Sequence, residues 1–161
     1  PTLSATYLSR PRHAPRGGWV SPDALARKME DCLFCNFDNE ELIEEGAYCY
    51  SRRDGYPVSE YHTLIIPKRH VASYFDLNQD EIMGMHRMLA GMKARIENLD
   101  ETVSGFNIGV NAGQDAGQSI FHVHMHLIPR RRGDIENPQG GVRGVIPSKR
   151  TYVRKSKNQS G

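Results

Sequence analysis

The sequence has little cysteine, no long apolar run and almost no net charge. Only 3 of its 161 residues are cysteine, and their C-x-x-C pattern in a chain without a secretion signal favours a metal site or redox chemistry over a disulfide framework. No apolar run approaches the roughly 18–20 residues that span a bilayer, and residues 1–20 lack the apolar core of a secretory signal. A formal net charge of +2 gives little support to chain-wide nucleic-acid binding. We therefore expect a cytoplasmic globular protein without a membrane partner.

The composition suits one domain with two flanking segments. Residues 1–20 are rich in Pro, Arg and Gly and indicate an extended arm, so the domain is expected over residues 21–147. Residues 148–161 form a basic tail. From Arg130 onward nine Lys or Arg face two acidic residues. This excess is either a solvated surface or an attraction for polyanions such as polyphosphates.

Two helices are predicted. Ser21-Pro22-Asp23 starts a short one that ends near Glu30. A long helix should begin at Asn78, where Glu81 completes a capping box, and run to about Asn98. Its apolar residues recur at helical spacing: Ile82, Met85, Leu89, Met92, Ile96 and Leu99. The methionines of this helix, Met83, Met85, Met88 and Met92, belong either to the core or to a dimer interface.

Four segments indicate strands: residues 47–53, 61–67, 105–111 and 119–129. With one long and one short helix, they predict an antiparallel sheet in an α+β domain. The last segment is unusual because its three histidines alternate with apolar residues, which places His122, His124 and His126 on one face of the strand. Since each buried ring would need its own partner, the alternation favours a functional cluster over three core histidines.

A close cysteine pair adds a candidate metal site. Cys32 and Cys35 are spaced C-x-x-C, and tetrahedral zinc would need two further ligands. Three histidines in a row on a flat strand cannot all converge on one ion. His70 and His122 would complete a Cys2His2 site and leave His124 and His126 free. On spacing alone, the further histidines His62 and His13 are also available.

Three ordered segments carry a family resemblance. HVHMHLI, within NAGQDAGQSIFHVHMHLIPR, resembles the signature of the histidine triad (HIT) nucleotide hydrolases and transferases. YHTLIIPKRH resembles the upstream histidine strand of that family, and CLFCNF resembles its N-terminal knuckle. The likeness covers about residues 30–134. It implies a HIT-like fold and a two-fold homodimer.

The resemblance assigns catalytic roles. The middle histidine of the triad, here His124, would attack the α-phosphorus of a nucleotide and form a nucleotidyl-histidine intermediate. A neutral imidazole is a competent nucleophile near pH 7. His126 and His62 would flank the phosphate, and Ser119 would contact the phosphates and help the leaving group to depart. Gln118 matches a glutamine that hydrolase members place near the polyphosphate.

Further residues match the nucleotide-binding positions of the family. Asp54 would accept hydrogen bonds from the ribose hydroxyls, although it is also the first residue of an Asp-Gly turn. Asn111 and the backbone of Gly117 would form the phosphate and ribose cradle, and an ordinary β-turn is the alternative. The galactose-1-phosphate uridylyltransferase branch supports a structural zinc, because it uses ligands at the positions of Cys32, Cys35, His70 and His122.

Departures from the family signature narrow the choice among the branches of the family. The uridylyltransferase branch has Pro and Gln where this chain has Val123 and His126, which disfavours transfer to sugar phosphates. Aprataxin-type enzymes carry a downstream zinc module, and no Cys or His follows His126. The segment after Asp134 is unlike the short tails of the smallest phosphoramidase members, and Arg143 and Lys149 are candidates to meet distal phosphates.

The resemblance therefore implies a nucleotide hydrolase. Its substrate is expected to be a purine ribonucleotide, most simply an adenosine conjugate or a dinucleoside polyphosphate. Two alternatives remain open. One is a phosphorylase or nucleotidyltransferase that uses the same intermediate, and the other is a nucleotide-binding interaction module with incidental hydrolysis.

Overall fold

A five-stranded antiparallel sheet forms the body of the protein in a computed structural model, which describes residues 30–36 and 41–152. The strands are β1 (Leu42–Glu45), β2 (Cys49–Arg53), β3 (Thr63–Pro67), β4 (Val103–Val110) and β5 (Met125–Arg131). Their order across the sheet is β1-β2-β3-β5-β4, and every neighbouring pair is antiparallel. The predicted α+β class is confirmed.

One long helix, α1 (Gln79–Leu99), packs on the sheet. The predicted capping box is present, because the Asn78 side chain accepts from the Glu81 N–H and the Glu81 carboxylate accepts from the Asn78 N–H. The helix buries one stripe: Met85, Met88, Met92 and Ile96. Met83 stays half exposed. Most of the methionine stripe is therefore core, and burying each such side chain stabilises the fold by roughly 1.5–3 kcal/mol.

The sheet has two buried faces. On the face covered by α1, the core contains Cys49, Ile65, Val123 and Leu127. On the opposite face, Tyr50, Leu64 and Ile66 pack against Cys32 and Phe34 of the N-terminal cysteine turn. This second face carries the candidate site.

The strand predictions differ from the structure in two places. The strand expected over residues 119–129 begins only at Met125. Before it the chain is not part of the ladder, and the N–H of Val123 instead donates to Val71 O at 2.7 Å. Strand β1 was not predicted because LIEE offers only two apolar residues. The other three predicted strands match β2, β3 and β4 to within two residues at each end.

Several predictions fall outside the described residues. These are the arm over residues 1–20, nearly all of the short helix over residues 21–30, and residues 153–161 of the basic tail. Within residues 30–36 and 41–152, no helix has the length and apolar character required to cross a bilayer.

Candidate active site and metal centre

The cysteine turn brings two sulfur atoms to one side of the sheet. The N–H groups of Cys35 and Asn36 both donate to Cys32 O, at 3.0 and 3.1 Å. This tight turn faces His70, three residues after β3, and His122, three residues before β5. As a result, ligand atoms of four side chains lie within 4.8 Å of one another: Cys32, Cys35, His70 and His122.

The distances within this cluster suit a tetrahedral ion. Cys35 Sγ lies 3.3 Å from His70 Nδ1. Both Cys32 Sγ and Cys35 Sγ lie 3.5 Å from His122 Nδ1. Ordinary zinc–sulfur and zinc–nitrogen bonds at a tetrahedral angle place sulfur and nitrogen about 3.6 Å apart. The donor set, two thiols and two imidazoles, is that of a closed structural zinc site.

The His122 ring is held in the orientation that a metal ligand requires. Its Nε2–H donates to Pro67 O at 2.8 Å, which leaves the Nδ1 lone pair directed at the sulfur atoms. Burial lowers the pKa of His122 to about 4, so the ring is neutral at physiological pH. A backbone acceptor behind a metal-binding histidine is the usual arrangement in metalloproteins.

The Cys35 thiol of the cluster needs a nearby cation to ionise at neutral pH. Burial, together with the neighbouring Cys32, raises the pKa of Cys35 to about 11. A divalent ion would reverse this shift, because zinc binds the thiolate form. The third cysteine, Cys49, is buried on the α1 side of the sheet and lies outside the cluster.

His124 lies next to this cluster in a fixed tautomer. Its Nδ1 lies 2.8 Å from the carbonyl oxygen of His122. A carbonyl can only accept, so Nδ1 carries the hydrogen and Nε2 of the neutral ring has a free lone pair. The ring is buried and packs at 5.1 Å, centroid to centroid, against Phe34.

His62 and His126 form a hydrogen-bonded pair beside His124. The N–H of Val58 donates to His62 Nδ1 at 3.3 Å, so the hydrogen of the neutral His62 ring is on Nε2. That Nε2 lies 3.0 Å from His126 Nδ1. His126 must therefore accept at Nδ1 and carry its own hydrogen on Nε2.

Both rings of the pair are neutral near pH 7. Burial lowers the pKa of His62, although the Asp54 charge opposes the shift. Burial also lowers the pKa of His126 to about 4, and His124 and His62 add to the effect. The site thus offers N–H donors without a fixed positive charge.

Asp54 belongs both to a turn and to the histidine site. Its Oδ1 accepts from the Tyr56 N–H at 2.8 Å, which stabilises the Asp-Gly turn. Its Oδ2 lies 3.4 Å from His62 Nε2 and 3.6 Å from His126 Nδ1. A role of Asp54 in the Asp-Gly turn is therefore compatible with a second role in the nucleotide site.

A cavity of about 180 Å³ adjoins these groups. Its polar lining includes Asp54, Ser119, His124 and His126. The remaining lining residues are Leu33, Phe34, Arg52, Gly55, Tyr56, Leu64 and Ile120. The cavity thus joins an apolar compartment to three of the predicted catalytic residues, Ser119, His124 and His126.

The glycine loop after β4 is closed by Gln118. Its Oε1 accepts from the Gly113 N–H at 2.8 Å, and its Nε2 donates to Ala72 O at 2.7 Å and to Ile120 O at 3.1 Å. Gln118 is buried, and every polar atom of its side chain is engaged. Gly117 adopts a φ of 85°, and its carbonyl accepts from Asn111 Nδ2 at 3.4 Å. None of these loop residues lines the cavity.

The two candidate phosphate-binding residues of the C-terminal segment do not lie at the cavity. Arg143 donates to Lys149 O at 3.0 Å, and its guanidinium lies 5.1 Å from the Tyr152 ring centroid. Neither Arg143 nor Lys149 is among the cavity-lining residues.

Sequence reasoning missed the apolar wall of the cavity and Arg52. Arg52 of β2 pairs with Leu64 of β3, and Leu64 pairs in turn with His126 of β5. The sequence could have indicated the position of Arg52. Side chains alternate between the two faces of a strand, and Arg52, two residues before Asp54, therefore faces the same side of the sheet.

Comparisons with known proteins give a consistent result. The family model described as the HIT domain matches residues 38–133. Adenosine 5'-monophosphoramidase HNT1 of Saccharomyces cerevisiae is 33% identical over 135 residues, which cover 81% of this chain and 77% of the yeast protein.

Two solved structures share the fold. Diadenosine triphosphate hydrolase of Plasmodium falciparum superposes with a TM-score of 0.58 and is 28% identical, over 70% of this chain and 76% of the other. A Zn-bound histidine triad family protein from Mycobacterium smegmatis gives a TM-score of 0.59 and 29% identity, over 68% of this chain and 81% of the other.

Proposed function

The chain belongs to the HIT domain family, as the match over residues 38–133 and the fold shared with solved members show, and on that premise we propose that it is a nucleotide hydrolase. It cleaves the bond between the α-phosphate of a purine ribonucleotide and a leaving group. The reaction passes through a nucleotidyl-histidine intermediate on His124. The HIT-like fold itself is confirmed.

The fixed tautomer of His124 is the observation that carries the proposal. With Nδ1–H donated to His122 O at 2.8 Å, Nε2 is the atom left to attack phosphorus. A nitrogen–phosphorus bond forms, and the bond from phosphorus to the leaving group breaks with its electron pair. Water then attacks the same phosphorus and loses a proton to solvent. The nitrogen–phosphorus bond breaks with its electron pair returning to Nε2, so the nucleotide is released and the ring is neutral again.

The neighbouring histidines stabilise the negative charge that develops on the phosphate oxygens. The chain of hydrogen bonds from Val58 through His62 fixes the His126 hydrogen on Nε2, where it can meet an oxygen of the phosphate. Preorganised donors of this kind contribute about 10²–10³-fold to a rate. Ser119, exposed at the cavity, would protonate or orient the leaving group.

The nucleoside would occupy the cavity. Asp54 lines it and offers a carboxylate to the ribose hydroxyls. The apolar residues Phe34, Leu64 and Ile120 would contact the base. Asn111, Gly117 and Gln118 would shape the loop that receives the phosphates, with Gln118 acting through its bonds to the loop backbone.

A zinc ion bound by Cys32, Cys35, His70 and His122 would have a structural role. The sulfur–nitrogen distances of 3.3–3.5 Å and the neutral His122 ring support this assignment. Bound zinc would neutralise the two thiolates and hold the cysteine turn against the sheet. In this way it would fix Phe34, which forms one wall of the cavity and packs on His124.

The names of similar proteins suggest the first substrates to test. One is an adenosine 5'-monophosphoramidase and another a diadenosine triphosphate hydrolase. We include both phosphoramidates and dinucleoside polyphosphates in the proposed substrate class. The two-fold homodimer and the cytoplasmic location remain predictions.

A substrate panel tests the proposal. It contains dinucleoside polyphosphates, a nucleoside phosphoramidate of lysine and adenylylsulfate, and kcat/KM is measured for each with and without added phosphate. We expect hydrolysis that does not need phosphate and that falls at least about 10³-fold in His124→Ala. His86→Ala, a matched change at an exposed position of α1, should retain activity. Equal turnover by His124→Ala and the parent protein would overturn the proposal.

A further inference from the structure

A buried arginine lies in the same row of the sheet as the catalytic histidines. Arg52 of β2 pairs with Leu64 of β3, and Leu64 pairs with His126 of β5. Directly paired residues share a face, and neighbouring strands are about 4.8 Å apart. The Cα of Arg52 is thus two strands, or roughly 10 Å, from that of His126. This places the arginine on the side of the cavity away from the site of phosphorus chemistry.

The guanidinium has an unused donor. The Arg52 side chain is 5% exposed. Its Nη2 pairs with Glu41, and its Nε makes a long contact of 3.4 Å with Arg53 O. Its Nη1 is shielded from solvent and has no hydrogen-bond partner among the described residues. A buried N–H group without a partner is rare in folded proteins.

The cavity beside Arg52 gives a ligand access to this side chain. Arg52 lines the cavity, together with the apolar side chains of Phe34, Leu64 and Ile120. Its guanidinium carbon lies 5.8 Å from the Phe34 ring centroid. A base that enters this compartment would meet apolar walls and one cationic donor. The cation of Arg52 is desolvated here, so a hydrogen bond to it is stronger than one in water.

Guanine and adenine present different hydrogen-bonding groups to such a donor. Guanine presents two acceptors, O6 and N7, on one edge, whereas adenine presents N7 beside an amino group that is itself a donor. A guanidinium accepts nothing, so it would oppose the adenine amino group.

We propose that Arg52 is a specificity-determining residue that selects a 6-oxopurine base, guanine in particular, over adenine. The inference rests on the proposed function and names the base of its substrate. On binding, the guanidinium turns so that Nη1, which is shielded from solvent here, donates to O6 of the base. The ribose then extends past Asp54, and the α-phosphate lies at His124 and His126.

The test compares two substrates that share one leaving group. The kcat/KM values are measured for the guanosine and adenosine 5'-phosphoramidates of lysine, and their ratio is taken within each protein preparation. This ratio does not depend on the fraction of folded enzyme. The parent protein should favour guanosine by about 10-fold. Arg52→Met should bring the ratio close to 1, mainly by reducing kcat/KM for the guanosine compound.

The neighbouring Arg53→Met supplies the matched control. Arg53 lies on the other face of β2, where its Nη1 donates to Tyr61 O and Thr63 Oγ1 at 3.0 Å. This change should leave the ratio of the parent protein intact. An equal or adenosine-favouring ratio in the parent, or an unchanged ratio in Arg52→Met, would overturn the inference alone. If neither conjugate is turned over, the same ratio is taken for a guanosine and an adenosine dinucleoside polyphosphate. Absence of turnover there as well would overturn the proposed function and this inference together.

Discussion

The ring of His124 donates through Nδ1 to the backbone carbonyl of His122, at 2.8 Å. The ring of His122 in turn faces both sulfur atoms of the cysteine turn. One residue therefore contributes its side chain to the proposed metal site and its carbonyl to the proposed nucleophile. Anything that loosens the cluster should also loosen the orientation of His124, and this would couple zinc binding to catalysis.

The first prediction concerns zinc. The purified protein should contain about one zinc per chain, and Cys35→Ser should remove most of it. Since a bound zinc ion would hold the cysteine turn to the sheet, its loss should cost about 3 kcal/mol or more, which corresponds to a decrease in Tm of roughly 10 °C. Metal analysis and thermal unfolding of the same samples check both values.

Cys49→Ala is the control for this prediction. Cys49 is buried on the α1 side of the sheet, away from the cluster, so the change should lower stability without releasing zinc. Well under one zinc per chain in the parent protein, or equal zinc in Cys35→Ser, would contradict the proposed ligand set.

The second prediction concerns the pH dependence of stability. The pKa of His126 is lowered from 6.5 to about 4 by burial, then by His124 and His62. Between these values the unfolded chain holds a proton on His126 that the folded chain lacks. The free energy of unfolding should therefore rise with pH in this window, and this contribution is lost as the pH falls from 6.5 through 4.

His126→Gln isolates that contribution. Urea unfolding is measured at several pH values between 4 and 7, with zinc present throughout. The parent protein should show the steeper dependence, by up to about 1.4 kcal/mol per pH unit, the value for one proton. Identical slopes for the two proteins would show that His126 is not held neutral by the fold.

The third prediction assigns Gln118 a bracing role. Its side chain joins the glycine loop to Ala72 O and Ile120 O through three hydrogen bonds. Gln118→Ala leaves these groups without partners and should cost about 2–3 kcal/mol of stability. Gln114→Ala, an exposed change in the same loop, should cost less than about 0.5 kcal/mol. An unchanged Tm with a large loss of kcat/KM would instead indicate a direct contact with the polyphosphate.

Much of the fold follows from local patterns in the sequence. The capping box at Asn78 and the apolar spacing after it predict α1 to within one residue at each end, because both signals are local. The alternation of His122 to Leu127 correctly separates the histidine face from the core residues Val123 and Leu127. The C-x-x-C pair and two histidines identify a cluster that the fold brings within 4.8 Å.

Other features depend on contacts between distant segments. The ladder begins only at Met125, because the preceding backbone instead bonds to Val71 O. No local sequence pattern predicts that Val71 O is the hydrogen-bond partner of this segment. The same holds for Gln118, whose side chain reaches Ala72 across 46 positions of sequence. Arg52 appears as an ordinary strand arginine until the register places it beside Leu64 and the cavity.

The central claim is that His124 Nε2 forms a covalent bond to phosphorus. Rapid acid-free quenching of a turnover mixture with a nucleotide labelled at the α-phosphorus, followed by peptide mapping, tests it directly. We expect label on the peptide that contains His124, a nitrogen–phosphorus linkage that is lost in acid and stable in base, and no label in His124→Gln. Label on another residue, or burst-free turnover with no labelled protein, would contradict the account.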